Sequence, residues 1–220
     1  MSWILRSLVL VSVLPLSVLP LAFPAAAAPA EGPEFGARFN AVAAGGEPAN
    51  DILSAGLFGR FRLNERWLLG VALDRAGFDF ERPWKPLGLQ QDPMVEVIDA
   101  SAGMTTLSVW AEREFAPGSG RLRWFWTGGI GFASPDVDDV TGPLAGGGTF
   151  DITTDPGSEI LLSASAGLRL PFARHWGFDF QLRADHHLAD WEVTDRTSGR
   201  RATLDDYTAL GATLALSCRF

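Results

Sequence analysis

The chain of 220 residues has a single cysteine, Cys218, so it forms no internal disulfide and no cysteine-cluster metal site. It also has no basic stripe. With 18 Lys and Arg against 26 Asp and Glu its net charge is −8, which argues against a nucleic-acid partner, whose phosphates need cations to neutralise them. Beyond Ala30 no stretch has a helical apolar period and none is apolar for the length of a helical span, so helical bundles and helical membrane spans are excluded. The one long hydrophobic run, Leu8 to Phe23, follows the lone basic residue Arg6 and leads to Ala28-Pro29-Ala30. Residues 1–30 therefore read as a secretory signal cleaved after Ala30, and residues 31–220 as one exported domain. A retained anchor is the alternative, but Pro15, Pro20 and Pro24 interrupt the run, and it falls short of the ~20 residues a spanning helix needs. No Cys follows the run, which excludes a lipoprotein signal.

What the sequence has instead is a period of two. Tyr207 to Phe220 alternates strictly, with Thr208, Leu210, Ala212, Leu214, Leu216, Cys218 and Phe220 on one face and Tyr207, Ala209, Gly211, Thr213, Ala215, Ser217 and Arg219 on the other. The oily row, Cys218 included, is expected to face lipid. The same rhythm predicts seven further strands: Glu34–Ala43, Ile52–Leu63, Arg66–Phe78, Met104–Phe115, Arg121–Phe132, Ser158–Leu170 and His175–Leu188. Their polar faces carry Arg38, Arg60, Arg62, Arg66, Asp74, Glu112, Glu114, Arg121, Arg123, Arg169, Asp179, Arg183 and Asp185. Tight turns at Asn64-Glu65, Ala116–Gly120 and Pro171–Arg174 alternate with longer loops at Ala44–Asp51, Asp79–Gly103, Ala133–Gly157 and Ala189–Asp206. An even number of strands, most with the ~9–11 residues that cross a bilayer when tilted, is the plan of an up-and-down transmembrane barrel.

With the tight turns at one end, the outward aromatics near that end are Phe35, Phe61, Trp67, Phe115, Trp124, Trp176, Phe178 and Phe220, a belt at one membrane interface. A soluble sandwich or lipocalin-like barrel is the alternative, but its oily face would be a core, with no reason for rings to gather at one end of nearly every strand. Hydrocarbon offers the backbone no partners, so spanning strands close without edges, and the first and last strands must pair. The alternation, the turn rhythm and the terminal Phe220 resemble the small outer-membrane barrels typified by the OmpA transmembrane domain and OmpX, over roughly residues 34–220. The resemblance implies an all-β fold, an eight-stranded antiparallel transmembrane β-barrel in the outer membrane of a Gram-negative-type bacterium, in contact with lipid and lipopolysaccharide.

An eight-stranded barrel is just wide enough for side chains to fill, so the inward charges need partners. If Phe115 pairs with Leu122, Glu114 lies opposite Arg123. A salt-bridge network that plugs the lumen is expected, the alternative being a gated pore in which these pairs switch. Asp185, His186 and His187 form the most enzyme-like group, with Asp185 and His187 inward and His186 outward. The resemblance extends to barrels that are lipid A deacylases or acyltransferases, which use a His with a Ser and an acid. The deacylase pattern implies a Ser two residues after the His, where this chain has Leu188 and Ala189, which leaves Ser101 or Ser158 to approach from other strand ends.

In the third loop, Asp136, Asp138, Asp139, Asp151 and Asp155 are expected to be solvated. The alternative is a divalent ion bridging them to lipopolysaccharide phosphates, although Asp136 to Asp139 lacks the spaced ligands and Gly of an EF-hand. The expectation is a non-enzymatic, monomeric integral outer-membrane barrel with a structural or surface-interaction role, partners reached through its long loops, and no catalytic residue, cofactor, metal or nucleic acid. The alternatives are a lipid A-modifying enzyme and a small gated pore.

Overall fold

A computed structural model of the chain describes residues 32–44, 51–81, 87, 99–115, 122–144 and 147–220. The signal segment 1–30, the Ala116–Gly120 turn with Arg121, and parts of the Ala44–Asp51 and Asp79–Gly103 loops lie outside these residues. The strands are β1 (Glu34–Ala44), β2 (Asp51–Arg62), β3 (Trp67–Glu81), β4 (Asp99–Phe115), β5 (Arg123–Val137), β6 (Val140–Pro143), β7 (Thr149–Asp155), β8 (Glu159–Pro171), β9 (Trp176–Leu188), β10 (Trp191–Asp195), β11 (Arg200–Leu204) and β12 (Tyr207–Arg219).

Eight of them close an antiparallel barrel in the order β1-β12-β9-β8-β5-β4-β3-β2, and β1 pairs with β12 from Glu34↔Arg219 to Ala44↔Ala209. These are the strands that the period of two predicts. The outward rows are apolar and exposed, among them Leu57, Leu73, Leu107, Ile130, Leu182 and Leu214, as a lipid-facing wall requires. Paired residues followed round the barrel run from Leu170 through Phe178, Leu216, Ala37, Leu57, Leu73, Leu107 and Phe132 to Ile160, so the path returns to β8 ten residues higher. With eight strands that offset corresponds to a tilt of about 40° and a narrow interior. Inside, Gly70 and Gly129 stand directly opposite Trp110 on the neighbouring strands. A Cβ on Gly70 would come within 2.2 Å of the indole, so this position needs glycine to seat the ring.

Two expected loops turn out to be structured. β5 continues to Val137, and Ala133–Gly157 also contains β6 and β7, while Ala189–Asp206 contains β10 and β11; together they form a second sheet of order β11-β10-β7-β6. Likewise β3 runs on to Glu81 and β4 begins at Asp99, which shortens the Asp79–Gly103 loop. The second sheet continues the β8–β9 hairpin, since Ile160↔Leu188 on the barrel is followed by Asp155↔Glu192 above it. The chain bends between the two at Pro156-Gly157, where Gly157 holds φ at 57°, a backbone conformation that favours glycine.

The bend lays the sheet across the barrel mouth. Its inner face, Phe150, Ile152, Trp191 and Val193, packs with the lumen-facing upper residues Ile52, Phe78, Met104, Ala133 and Val137 in one buried cluster. Its other face, with Thr149, Glu192 and Arg201, is exposed. Two amphipathic hairpins with nothing else to bury their apolar sides thus form a cap. Truncating Trp191, which is 1% exposed, to Ala is expected to cost about 3–5 kcal/mol of cap stability. Limited proteolysis should then cut within residues 191–204 while the barrel keeps its heat-modifiable gel mobility.

The candidate functional site: the filled lumen and its cap

The barrel is organised in layers along its axis, and the lowest, nearest the tight turns, is ionic. Arg169 forks onto Asp179, with Nε to Oδ1 at 2.9 Å and Nη2 to Oδ2 at 3.0 Å, and reaches Glu112 at 2.7 Å and also Glu114. Arg60 bridges Glu34 and Asp179, each at 2.6 Å. Arg62 at 2.7 Å and Arg123 at 3.2 Å hold the other oxygen of Glu114, and Arg219 bonds Glu34 through Nε at 2.9 Å. This network joins β1, β2, β4, β5, β8, β9 and β12. Buried charges without partners are costly, and here each one has them.

Two expectations about this layer are corrected. Phe115 pairs with Trp124 rather than Leu122, so Glu114 faces Phe125 and its bond to Arg123 runs diagonally. Arg66 is exposed in the Leu63–Arg66 turn instead of pointing into the lumen, because β3 begins at Trp67 and the turn is held by Asn64 Oδ1, which accepts the Arg66 and Trp67 N–H groups at 2.9 and 3.0 Å.

Above the ionic layer a cavity of about 40 Å³, lined by Trp110, Thr127, Ser165 and Gln181 among others, has room for a few waters. A second layer closes over it. Arg38 donates to Asp74 at 2.8 Å and to Ser108 at 3.2 Å, and Arg183 pairs with Asp185 at 2.7 Å. Asn40 ties Ser54 at 2.7 Å, Asp74 at 3.3 Å and Thr213 at 2.6 Å into the same layer. A further cavity of about 40 Å³ follows, bounded by Asp74, Thr106, Asp185 and His187.

At its upper end lies a cluster that sequence reasoning did not assemble. Glu159, 0% exposed, accepts from His187 Nδ1 at 2.7 Å, from the Trp191 indole N–H and from the Tyr207 hydroxyl at 3.4 Å, while the His187 and Tyr207 rings stack 4.3 Å apart. Glu159 is the junction of β8, β9, β10 and β12, so one carboxylate joins barrel and cap. Asp185 and His187 do face inward, and His186 faces outward with Nδ1 3.0 Å from Thr208 Oγ1, but no serine among the described residues bonds either histidine. Ser101 and Ser158 are exposed. The group has the hydrogen bonding of a structural joint, with the histidine enclosed beneath the cap. The missed signal was Glu159 itself, a carboxylate at the inward position before Leu161, two residues beyond the Pro156-Gly157 bend.

The acidic residues of the expected third loop are dispersed. Asp139 and Asp151 are bridged by Arg196 at 2.9 and 3.7 Å, and Asp155 Oδ1 accepts from the Gly157 N–H at 3.3 Å. Asp195, on the buried face of the cap, accepts from the backbone N–H groups of Asp151 at 3.1 Å, Thr197 at 3.1 Å and Ser198 at 3.2 Å and from the Ser198 hydroxyl.

No family model matches the chain, and no curated protein matches it. Among solved structures it is similar to Neisserial surface protein A, at a TM-score of 0.55 and 13% identity over 88% of this chain and 100% of that one. It is also similar to the outer membrane protein OprG from Pseudomonas aeruginosa, at a TM-score of 0.60 and 8% identity over 87% of this chain and 96% of that one. The chain has the fold of the small outer-membrane barrels. At these identities the likeness reaches no further than the fold.

Two outcomes follow for the layers. Arg169→Met leaves Glu112, Glu114 and Asp179 short of a cation and should cost about 3–5 kcal/mol, read as a lower urea midpoint for the barrel refolded in lipid. In the cap, burial pushes the Asp195 carboxyl up, but the Ser198 hydroxyl and the three N–H groups outweigh it and hold the group below its ordinary value. A depressed folded-state value stabilises the cap fully above the unfolded pKa of about 3.9, and that stability is lost as pH falls through the folded value. Hydrogen exchange in the cap, corrected for its intrinsic pH dependence, should therefore quicken below about pH 4 in the wild type, and Asp195→Asn should flatten that dependence.

Proposed function

We propose that this protein is a non-enzymatic, monomeric integral outer-membrane barrel with a structural or surface-interaction role, which contacts lipid and lipopolysaccharide with its wall and meets extracellular partners through its cap. The observation that carries the reading is the obstruction of the lumen: two buried ion-pair layers cross it, and the apolar face of the cap seals the mouth. A conduit needs a continuous polar path, and a hydrolase needs an accessible nucleophile beside its base. Enclosure of His187 against Glu159 and Tyr207 supports a structural role for that histidine. The exposed outer face of the cap, which mixes Asp139, Glu192, Arg196 and Arg201, suits polar contact with a partner. The name of one similar structure, a Neisserial surface protein, agrees with display at a surface.

Planar-bilayer recording tests the proposal. Protein that shows a heat-modifiable gel shift is expected to insert without unitary conductance steps. Clear, reproducible steps from such a sample would establish a pore and overturn the plugged-barrel role.

A further inference from the structure

Arg113 on β4 is a cation that none of the layers uses. Its sequence neighbours Glu112 and Glu114 point into the lumen and are held there by Arg169 and Arg62. Alternation turns Arg113 to the lipid side, with Val109 and Phe115. The register places Trp67 on β3 and Trp126 on β5 directly beside it. Its guanidinium carbon lies 5.7 Å from the centre of the Trp67 ring and 5.1 Å from that of Phe115, and the Trp67 and Trp126 rings meet edge to face at 5.7 Å. Among the described residues Arg113 makes no ion pair, and its buried Nε has no hydrogen-bond partner.

The rings hold this charge at the level of the aromatic belt, facing the membrane, by cation–π contact that encloses Nε, and the terminal Nη groups have no partner among the described residues. A guanidinium in that position calls for an anion, and a phosphodiester matches its geometry. A second feature points to a lipid rather than a free ion. One pleat above Arg113 the register lines up Ala111 with Gly128, and Ala164 lies beyond, so the wall above the cation is shallow between Val109, Ile130 and Trp126. That shallow row crosses the strands next to the cation, where it offers room for an acyl chain of a lipid held there. Arg66, exposed in the adjoining turn with its carbonyl accepting the Glu114 N–H at 2.8 Å, adds positive charge to the same rim.

We propose that Arg113, framed by Trp67, Trp126 and Phe115, binds the phosphodiester of one glycerophospholipid in the periplasmic leaflet, with an acyl chain along Ala111 and Gly128. The proposal rests on the outer-membrane reading above. Native mass spectrometry of the full barrel refolded in a non-ionic detergent and titrated with phosphatidylglycerol tests it, with folding of every sample checked by heat-modifiable mobility. The wild type should retain one lipid preferentially. Arg113→Gln should weaken retention about tenfold or more, Arg113→Lys less, and Arg75→Gln, a change of another outward arginine bonded to Thr105, not at all.

Diacylglycerol, which has the chains without the phosphate, should not be retained, and inorganic phosphate should not displace the lipid. Equal retention by folded wild type and folded Arg113→Gln overturns the site. Displacement by inorganic phosphate overturns the lipid assignment in favour of a simple anion site. A wild type with no heat-modifiable shift refutes the outer-membrane reading and the proposal with it, whereas a shifted wild type without phosphate-dependent retention refutes the lipid site alone.

Discussion

Every other feature of this molecule depends on one requirement, that no backbone N–H or C=O be left unpaired in hydrocarbon. Closure follows, with β1 joined to β12 along the whole of β1. Closing eight strands with an offset of ten residues fixes a narrow lumen that long side chains reach across. The inward arginines and carboxylates then have little water to retreat to, and most satisfy one another. Their pairing across seven of the eight strands in the lower layer is thus a consequence of the lipid outside the barrel. It also resists slippage, because a shift of one residue would turn every charge of a strand into the membrane.

The cap obeys a different solvent. Above the bilayer the β8–β9 ladder can bend away from the wall, and at Gly157 it does. Its hairpins are amphipathic in the ordinary soluble sense, with Trp191 and Val193 inward and Glu192 outward. The junction between the two regimes is Glu159, which takes one hydrogen bond from a barrel histidine, one from a barrel tyrosine and one from a cap tryptophan. A buried carboxylate with three donors is a specific joint, since an apolar residue there would take the acceptor away from the buried His187 and Tyr207.

The barrel was legible because a strand in contact with lipid on one side and a charged lumen on the other must alternate strictly, as Tyr207 to Phe220 does. The parity of Asp185, His187 and the lumen arginines followed from the same rule. The cap was hidden because β6 and β11 are short and because Gly, Pro and Asp dominate the segments around Phe150 and Ile152, so turn chemistry outweighed a brief alternation; Trp191-Glu192-Val193 held the same signal in miniature. Glu34 and Leu68, both buried in the lumen, were recoverable from parity alone. Register was beyond reach at the β4–β5 turn, since alternation fixes which face a residue takes but not which residue across the turn it pairs with, and Phe115 pairs with Trp124. Arg113 breaks the oily row of β4, and an exception of that kind is where alternation gives way to a specific local purpose.

The order in which cap strands pair has a consequence for assembly. Asp155 and Glu192 are far apart in the chain, yet they are adjacent once β8 and β9 have zipped together. The loop-closure entropy of β7–β10 pairing is therefore met in advance by the barrel hairpin beneath it. The cap is thus favoured once β8 and β9 have paired and completes its packing when β2, β3, β4 and β5 bring Ile52, Phe78, Met104 and Ala133 beneath it, so an antibody raised against the folded β7–β10 surface would favour barrels whose wall has formed.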